Sequence, residues 1–352
     1  MAGRVPIYCL ISIEYQLSDL KPRLTIRLER TYLLIPNSLK YPSVPTRRFN
    51  LGECLRVHYR NFFCFLIVLT FIGFVSQTGI AQQSEEKLGV APPPHAKQIH
   101  LKHVLVIGQT KGFEHDSVSP AMNAIYQMGK ESGLWDTTIR TDTELLTKKD
   151  LGRNAKNLNY FDALIFASTT GELDMDPSQK QDMMSFIKED GKGFVGIHAA
   201  LDTNYTWPEY GEMIGGWFDQ HPWMTFNAPI INEDPDFPAV RNFPKAFVKY
   251  DEIYQPKNWS RDKVNVLLSL DPSKLDYNNN PRIHRTDHDF AVAWDKMYGK
   301  GRVFYSTLGH TEEAWQDPDI RKMYFEAVKW TLGMTEGSTA SHPHSSPTTS
   351  SH

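Results

Sequence analysis

Between residues 103 and 198, short apolar runs alternate with amphipathic stretches, which predicts an α/β fold built on a mainly parallel, doubly wound sheet flanked by helices. Two observations support this. The apolar runs are brief and bounded by glycine or polar residues, as buried strands are. After His221 the pattern changes to closely spaced strand-like runs, which predicts extra strands in the second half.

The elements follow in order. His103–Gly108 reads as the first strand, and a polar loop, Gln109–His115, leaves it. Ser119 is placed as an N-cap and Pro120 in the first turn of a helix, with Met122, Ile125, Tyr126 and Met128 at roughly helical spacing. Thr137–Thr141 and Tyr160–Ser168 are the next strands. Asp176 and Pro177 start a helix through Lys188, with Met183, Met184, Phe186 and Ile187 inward. The focal strand, Gly193–Ile197, stops at His198. Phe247–Tyr254 and Val264–Leu270 read as strands. Asp276–Asp289 is a polar loop, Phe290–Trp294 and Arg302–Thr307 are strands, and Asp317-Pro318 caps a last helix that ends at Gly333.

The chain has 352 residues and a net charge of −3, with 40% apolar and 22% charged residues, enough for one large globular body. Residues 1–60 are basic by about six charges, which leaves the remainder acidic, near −9. An acidic body argues against a nucleic-acid surface. Residues 1–60 read as a leader foreign to the natural protein or disordered. The apolar run Phe62–Val75 is too short to span a membrane and is followed by Gly79 and Ala81, so 61–81 reads as a cleavable signal peptide. The expectation is an exported protein, periplasmic or secreted, with no stable membrane anchor after cleavage. All three cysteines, Cys9, Cys54 and Cys64, precede that cleavage point, so the mature body has no thiol chemistry. Residues 82–98, with Pro92-Pro93-Pro94, read as a linker, 99–335 as the folded body, and 336–352 as a disordered tail with solvated His342, His344 and His352.

Of thirteen histidines, five occupy informative places: His115, His198, His221, His288 and His310. His115, His198 and His310 follow strands, and the tips of parallel strands converge on one sheet edge. His221 lies in a loop leaving that edge. Imidazole serves either as an acid/base group or as a ligand for a divalent metal such as zinc. One reading makes His198 and His310, with Asp202 and Glu252, acid/base groups. Another makes His115, His198, His221 and His310 a metal site. A third has each histidine merely orienting a loop. Asp202 either orients His198 or caps the next helix. Glu252 shares a strand face with Val248, Tyr250 and Tyr254, and is either a site carboxylate or a salt-bridge partner; Asp251 falls on the opposite face. Lys111 and Arg302 could hold an anion. Gly108–Gly112 lacks any phosphate-cradling fingerprint, so no nucleotide is expected.

Several separated motifs carry a family likeness. They are Thr110–His115, Val195–Ala200, Gly215–Phe218 with His221-Pro222-Trp223, Asp251–Tyr254, and Gly299–His310 with Ala314-Trp315. In this order they resemble the trehalose-utilisation (ThuA-like) family over about residues 100–334. The resemblance implies a flavodoxin-like fold of the class I glutamine amidotransferase-like group and an association with sugar metabolism. The glutaminase relatives place a cysteine at the strand tip; the matching segment here is Gly196–Ala200 with His198, so glutamine hydrolysis is excluded for want of a nucleophile. A small-molecule carbohydrate is the implied partner. Trp217, Trp223 and Trp315 could then stack on sugar rings beside Lys111 and His115, or simply pack in the core. The expected activity is that of an enzyme acting on a sugar or oxidised sugar, a hydrolase or isomerase; the alternative is a non-catalytic carbohydrate-binding or accessory module.

Overall fold

Side-chain alternation along Lys102–Ile107 (β1) makes it a central strand. Val104 and Val106 face one layer, Leu105 and Ile107 the other, and all four are fully buried. In the computed structural model the described residues are 101–152 and 156–343, with four two-residue strands nearer the N-terminus. Met1–Ala96 form one unit, in which Val5–Pro6 pairs with Tyr32–Leu33 and Ile11–Ser12 with Arg27–Leu28. The expected signal peptide and linker lie outside the described residues, as does most of the leader.

The second unit, Lys97–His352, holds the sheet. Its further strands are Trp135–Arg140 (β2), Ala163–Ala167 (β3), Gly193–Ile197 (β4), Trp217–Gln220 (β5), Thr225–Asn232 (β6), Ala246–Glu252 (β7), Gln255–Lys257 (β8), Asn265–Leu270 (β9), Ala291–Tyr298 (β10) and Gly301–Ser306 (β11). Nine of them form one sheet in the order β7-β6-β9-β10-β11-β4-β3-β1-β2. The segment β11-β4-β3-β1-β2 is parallel, and the four strands beyond β11 are antiparallel. Read from the far edge, the parallel part runs 2-1-3-4 and then β11, the flavodoxin-like order, which directs ligands to the C-terminal strand ends. The expected α/β class with extra strands in the second half is therefore what the chain adopts. β5 and β8 pair as a separate ribbon above that edge.

Helices Val118–Ser132 (α1) and Pro318–Thr331 (α4) cover one face through Met122, Ile125, Tyr324 and Val328. Pro177–Lys188 (α2) and Pro208–Ile214 (α3) cover the other through Met183, Phe186, Tyr210 and Ile214. Each such side chain contributes about 1.5–3 kcal/mol on burial. α2 begins as the sequence suggests: the Asp176 carboxylate accepts from the Gln179 amide, Gln179 returns a bond to Asp176, and Pro177 needs no donor partner. α4 is capped by the Asp317 carboxylate, which accepts from the Asp319 and Ile320 amides.

Four expectations need correction. α1 is entered at Ser117, not Ser119, and neither serine caps it by its side chain; Pro120 lies within the first turn, where a missing N–H costs nothing. Tyr126 faces solvent. The stretch 247–254 is not one strand: β7 ends at Glu252, and β6, β5 and β8 were not anticipated. Residues 336–343 are not a free tail. Asn265 donates to the Ser338 carbonyl, the Arg302 guanidinium reaches the Thr335 carbonyl and Glu336, and His342 Nε2 donates to the Val266 carbonyl. No described helix is long and apolar enough to cross a membrane.

Candidate metal centre

The C-terminal ends of β1, β4 and β11 deliver three histidines to one place, and the end of β7 delivers a carboxylate. β1 continues into the loop 108–117, which is stapled to the next strand tip. Thr110 bridges Thr170, Gly112 N–H donates to Thr170 Oγ1, and Thr170 Oγ1 donates to the Phe113 carbonyl. This holds His115, which is almost wholly buried.

β4 stops at His198, whose φ of 44° lies in the left-handed region that non-glycine residues avoid. Such a conformation costs on the order of 1–3 kcal/mol and persists only where neighbours enforce it. Here Tyr305 Oη donates to the His198 carbonyl at 2.7 Å, and His198 Nδ1 donates to the Thr307 carbonyl at 2.6 Å. With Nδ1 so committed, Nε2 carries the lone pair. That Nε2 lies 3.0 Å from His310 Nδ1 and 3.7 Å from Glu252 Oε2, and His310 Nδ1 lies 3.3 Å from the same carboxylate oxygen.

Taken together, one ligand atom each from His115, His198, Glu252 and His310 falls within 4.8 Å of the others. A tetrahedral ion bonded at about 2.0–2.1 Å sets neighbouring ligands about 3.3 Å apart. The three measured edges bracket that value, so the donor set and its size suit a zinc-like ion. The electrostatics agree. Burial, then the neighbouring His310, lowers the His115 imidazole to about 4. Burial, then His115, holds His198 well below its ordinary value. His310 is lowered too, by burial and then by His221. All three rings are thus neutral near pH 7, the form that ligates. Burial alone pushes the Glu252 carboxyl up to about 7. His115 Nδ1 is a buried atom without a hydrogen-bond partner, and His115 Nε2 is 3.4 Å from Tyr254 Oη.

Other candidates lie elsewhere. His221, expected among the ligands, is replaced by Glu252: it stands at the rim with Nδ1 3.9 Å from Glu252 Oε1. Asp202 neither bonds to the His198 ring nor caps the next helix at its N-terminus. It accepts from Tyr205 Oη at 2.5 Å, Trp207 occupies the N-cap of α3, and burial raises the Asp202 carboxyl. Lys111 is paired with Asp174. Arg302 sits at the opposite end of β11, held by the C-terminal segment and stacked over Trp330, so it does not offer an anion site here. Trp315 is buried against Tyr324 and donates to the Gly309 carbonyl; Trp223 donates to the Asp276 carbonyl and packs on Phe290; Trp217 donates to the Asn204 carbonyl. His288 stacks on Tyr277.

Sequence reasoning missed two features. Asp251 is fully buried beside Glu252 because β7 leaves its solvent-facing alternation at its last two residues. Phe113, 68% exposed, stands edge-on to His115 at the mouth of a cavity of about 480 Å³. His115 and His310 line that cavity, and Glu114, Asp116, Glu312 and Glu313 rim it. Only the position of Phe113 in the exposed loop could have suggested the latter.

A family model described as trehalose utilisation (ThuA) matches residues 103–331. A ThuA-like protein from Bacteroides uniformis has 22% identity to this chain, covering 68% of it and 95% of the other, with a TM-score of 0.54. One from Parabacteroides merdae shows 19% identity over 71% and 95%, with a TM-score of 0.49. At 22% identity the likeness to the Bacteroides uniformis protein speaks for the fold alone. No curated protein matches.

Proposed function

Because this chain belongs to the trehalose-utilisation (ThuA) family, we propose that it is a metal-dependent enzyme acting on a carbohydrate, with the ion held by His115, His198, His310 and Glu252. One observation carries the reading: three neutral imidazoles and one carboxylate converge within 4.8 Å at the strand ends where this fold binds ligands. A divalent ion such as zinc supplies there a Lewis acid, or a bound water that ionises near neutral pH.

The chain's own groups fix the rest. Thr307 selects the His198 tautomer. Glu252 turns Oε2 toward the two histidines and leaves Oε1 facing His221. His221 Nδ1 stands 3.9 Å from that oxygen, beyond direct hydrogen-bonding reach. The cavity in front suits an uncharged, hydroxyl-rich ring. Phe113 offers an apolar face, four carboxylates can accept hydrogen bonds from hydroxyls, and no lysine or arginine is among the described residues lining it. Phosphorylated or acidic sugars would meet repulsion.

The test is direct. The full chain, purified without an added histidine tag, should carry about one equivalent of zinc or a similar ion by elemental analysis. His198→Ala should carry none. Neutral disaccharides or their oxidised forms should turn over only in the loaded protein. Absence of metal from both proteins sinks the metal reading. Sugar binding by calorimetry without any product, unchanged in His198→Ala, would favour a non-catalytic binding module. Export is part of the proposal. It is supported by the apolar run Phe62–Val75 with small residues after it and by the lack of cysteine beyond Cys64. N-terminal sequencing of the mature protein should begin at Gln82; a retained N-terminus would overturn it.

A further inference from the structure

Asp251 makes no contact with the cavity, yet its carboxylate binds the backbone of two proposed ligands at once. Oδ1 accepts from the amide N–H of Glu252 at 2.9 Å and from that of His310 at 3.0 Å. Oδ2 accepts from the amide N–H of Gly309 at 2.8 Å. The side chain is fully buried, and no lysine, arginine or histidine is paired with it among the described residues. A buried carboxylate usually survives on a cationic partner. Here three amides from two strand ends, 58 or 59 residues away for the β11 loop, take that place.

The geometry explains why an aspartate sits there. After β11 the chain must turn so that the His310 ring meets His198. Gly309 makes that turn with φ of 113°, a conformation a side chain would oppose. The turn leaves the Gly309 and His310 amides pointing inward, where an unpaired N–H costs about 1–3 kcal/mol. Asp251, one residue before Glu252, is the group that receives them. One carboxylate therefore ties the end of β7 to the loop after β11 and sets the spacing of Glu252 from His310.

We propose that Asp251 is the positioning residue of the metal centre, presenting Glu252 and His310 through their backbone amides without itself touching the ion. This rests on the metal reading above. Asparagine cannot replace it. An amide has one acceptor oxygen, so whichever way it turns, its NH2 group faces at least one backbone N–H.

The test measures zinc affinity by competition with a chromophoric chelator, using the full chain, in wild type, Asp251→Asn and Asp295→Asn. Asp295 is an equally buried carboxylate on β10, bonded to Asn265 and remote from the four ligands, so it controls for general loss of stability. Asp251→Asn should bind zinc about 10–100-fold more weakly, the range typical of groups that orient ligands, and its cobalt(II) spectrum should change shape. Asp295→Asn should bind within about twofold of wild type by the same measure. Equal weakening in both variants, or undiminished affinity in Asp251→Asn, overturns the inference while leaving the metal site standing. A wild type that binds no zinc overturns both. Should Asp251→Asn fail to fold, amide hydrogen exchange in the metal-free wild type decides. The Glu252, Gly309 and His310 amides should already be protected before zinc is added, and rapid exchange there overturns the inference.

Discussion

Replacing His310 by alanine removes one of the four converging ligand atoms while disturbing the fold least, because its ring is 24% exposed and sits at the cavity mouth. In the metal-free protein the change costs one hydrogen bond to His198 Nε2, about 1 kcal/mol. The metal-loaded protein should lose much more. An ion at a hundred times its dissociation constant stabilises the native state by about 2.7 kcal/mol. For a body of this size that raises Tm by roughly 5–11 °C. Loss of a direct ligand weakens binding at least as much as the 10–100-fold seen for outer groups. At a hundredfold loss the same zinc concentration equals the new dissociation constant, and the stabilisation falls to about 0.4 kcal/mol, or near 1 °C. Thermal melts of wild type and His310→Ala, each with and without zinc and with magnesium as a control, read this directly. A zinc shift of the same size in both proteins would refute the assignment of His310 as a ligand.

Zinc affinity should depend on pH through Glu252, whose folded carboxyl sits near 7 by burial and must ionise to ligate. Calorimetry should show apparent affinity rising about tenfold per pH unit from 5 to 7, then levelling, with about one proton released per ion; a flat profile contradicts it. In the metal-free protein the signs oppose. The raised Glu252 and Asp251 carboxyls contribute stability complete below about 4 and lost as pH rises through about 7. The lowered histidines, His115 at about 4 among them, contribute stability complete above 6.5 and lost as pH falls. Metal-free Tm should therefore change little between pH 5 and 6.5, and a steep slope there would show the cluster is ionised differently. Phe113→Ala should leave Tm unchanged but weaken sugar binding by about 2–13-fold, the loss of one ring contact; unaltered calorimetric affinity removes Phe113 from the site. Truncation after Thr335 should lower Tm by several degrees, since Asn265 and the Val266 carbonyl lose partners; an unchanged Tm would show that these bonds do not hold the segment.

The parallel half of the fold was legible because its signals are local. β1, β3 and β4 are short apolar runs, β2 (WDTTIR) is the polar exception at the sheet edge, and α2 and α4 announce themselves by Asp-Pro caps. That His115, His198 and His310 belong together also followed from local signals, since each trails a strand. The antiparallel half was less legible. β6 carries Pro229 and Asn227, which mask its periodicity, and β5 and β8 are only four and three residues long. For the tryptophans the sequence leaves two readings open, sugar stacking or core packing. A large ring near a motif fits either, and the packing partners, Tyr324 for the buried Trp315 and Phe290 for Trp223, come from distant segments that sequence does not show.

The adjacent pair Asp251 and Glu252 shows where strand alternation stops being a guide. Up to Tyr250 the even positions of β7 face solvent, Val248 and Tyr250 being 58% and 63% exposed. Alternation would carry Glu252 outward with them and leave it a surface carboxylate. Instead the strand ends beneath the loop after β11, and both acids are buried, one on each side of the backbone. Among the described residues neither has a lysine or arginine partner, so no ordinary ion pair with one is seen there. Two buried acids in succession would be costly in a structure that merely had to fold. Among the described residues their cost is offset differently: Asp251 in part by three amides, Glu252 only by the histidines it faces. The unbalanced member of the pair is the one whose oxygen stands 3.3 Å and 3.7 Å from imidazole nitrogens. A cation shared among those atoms would balance that carboxylate and draw on the imidazole lone pairs at the same time.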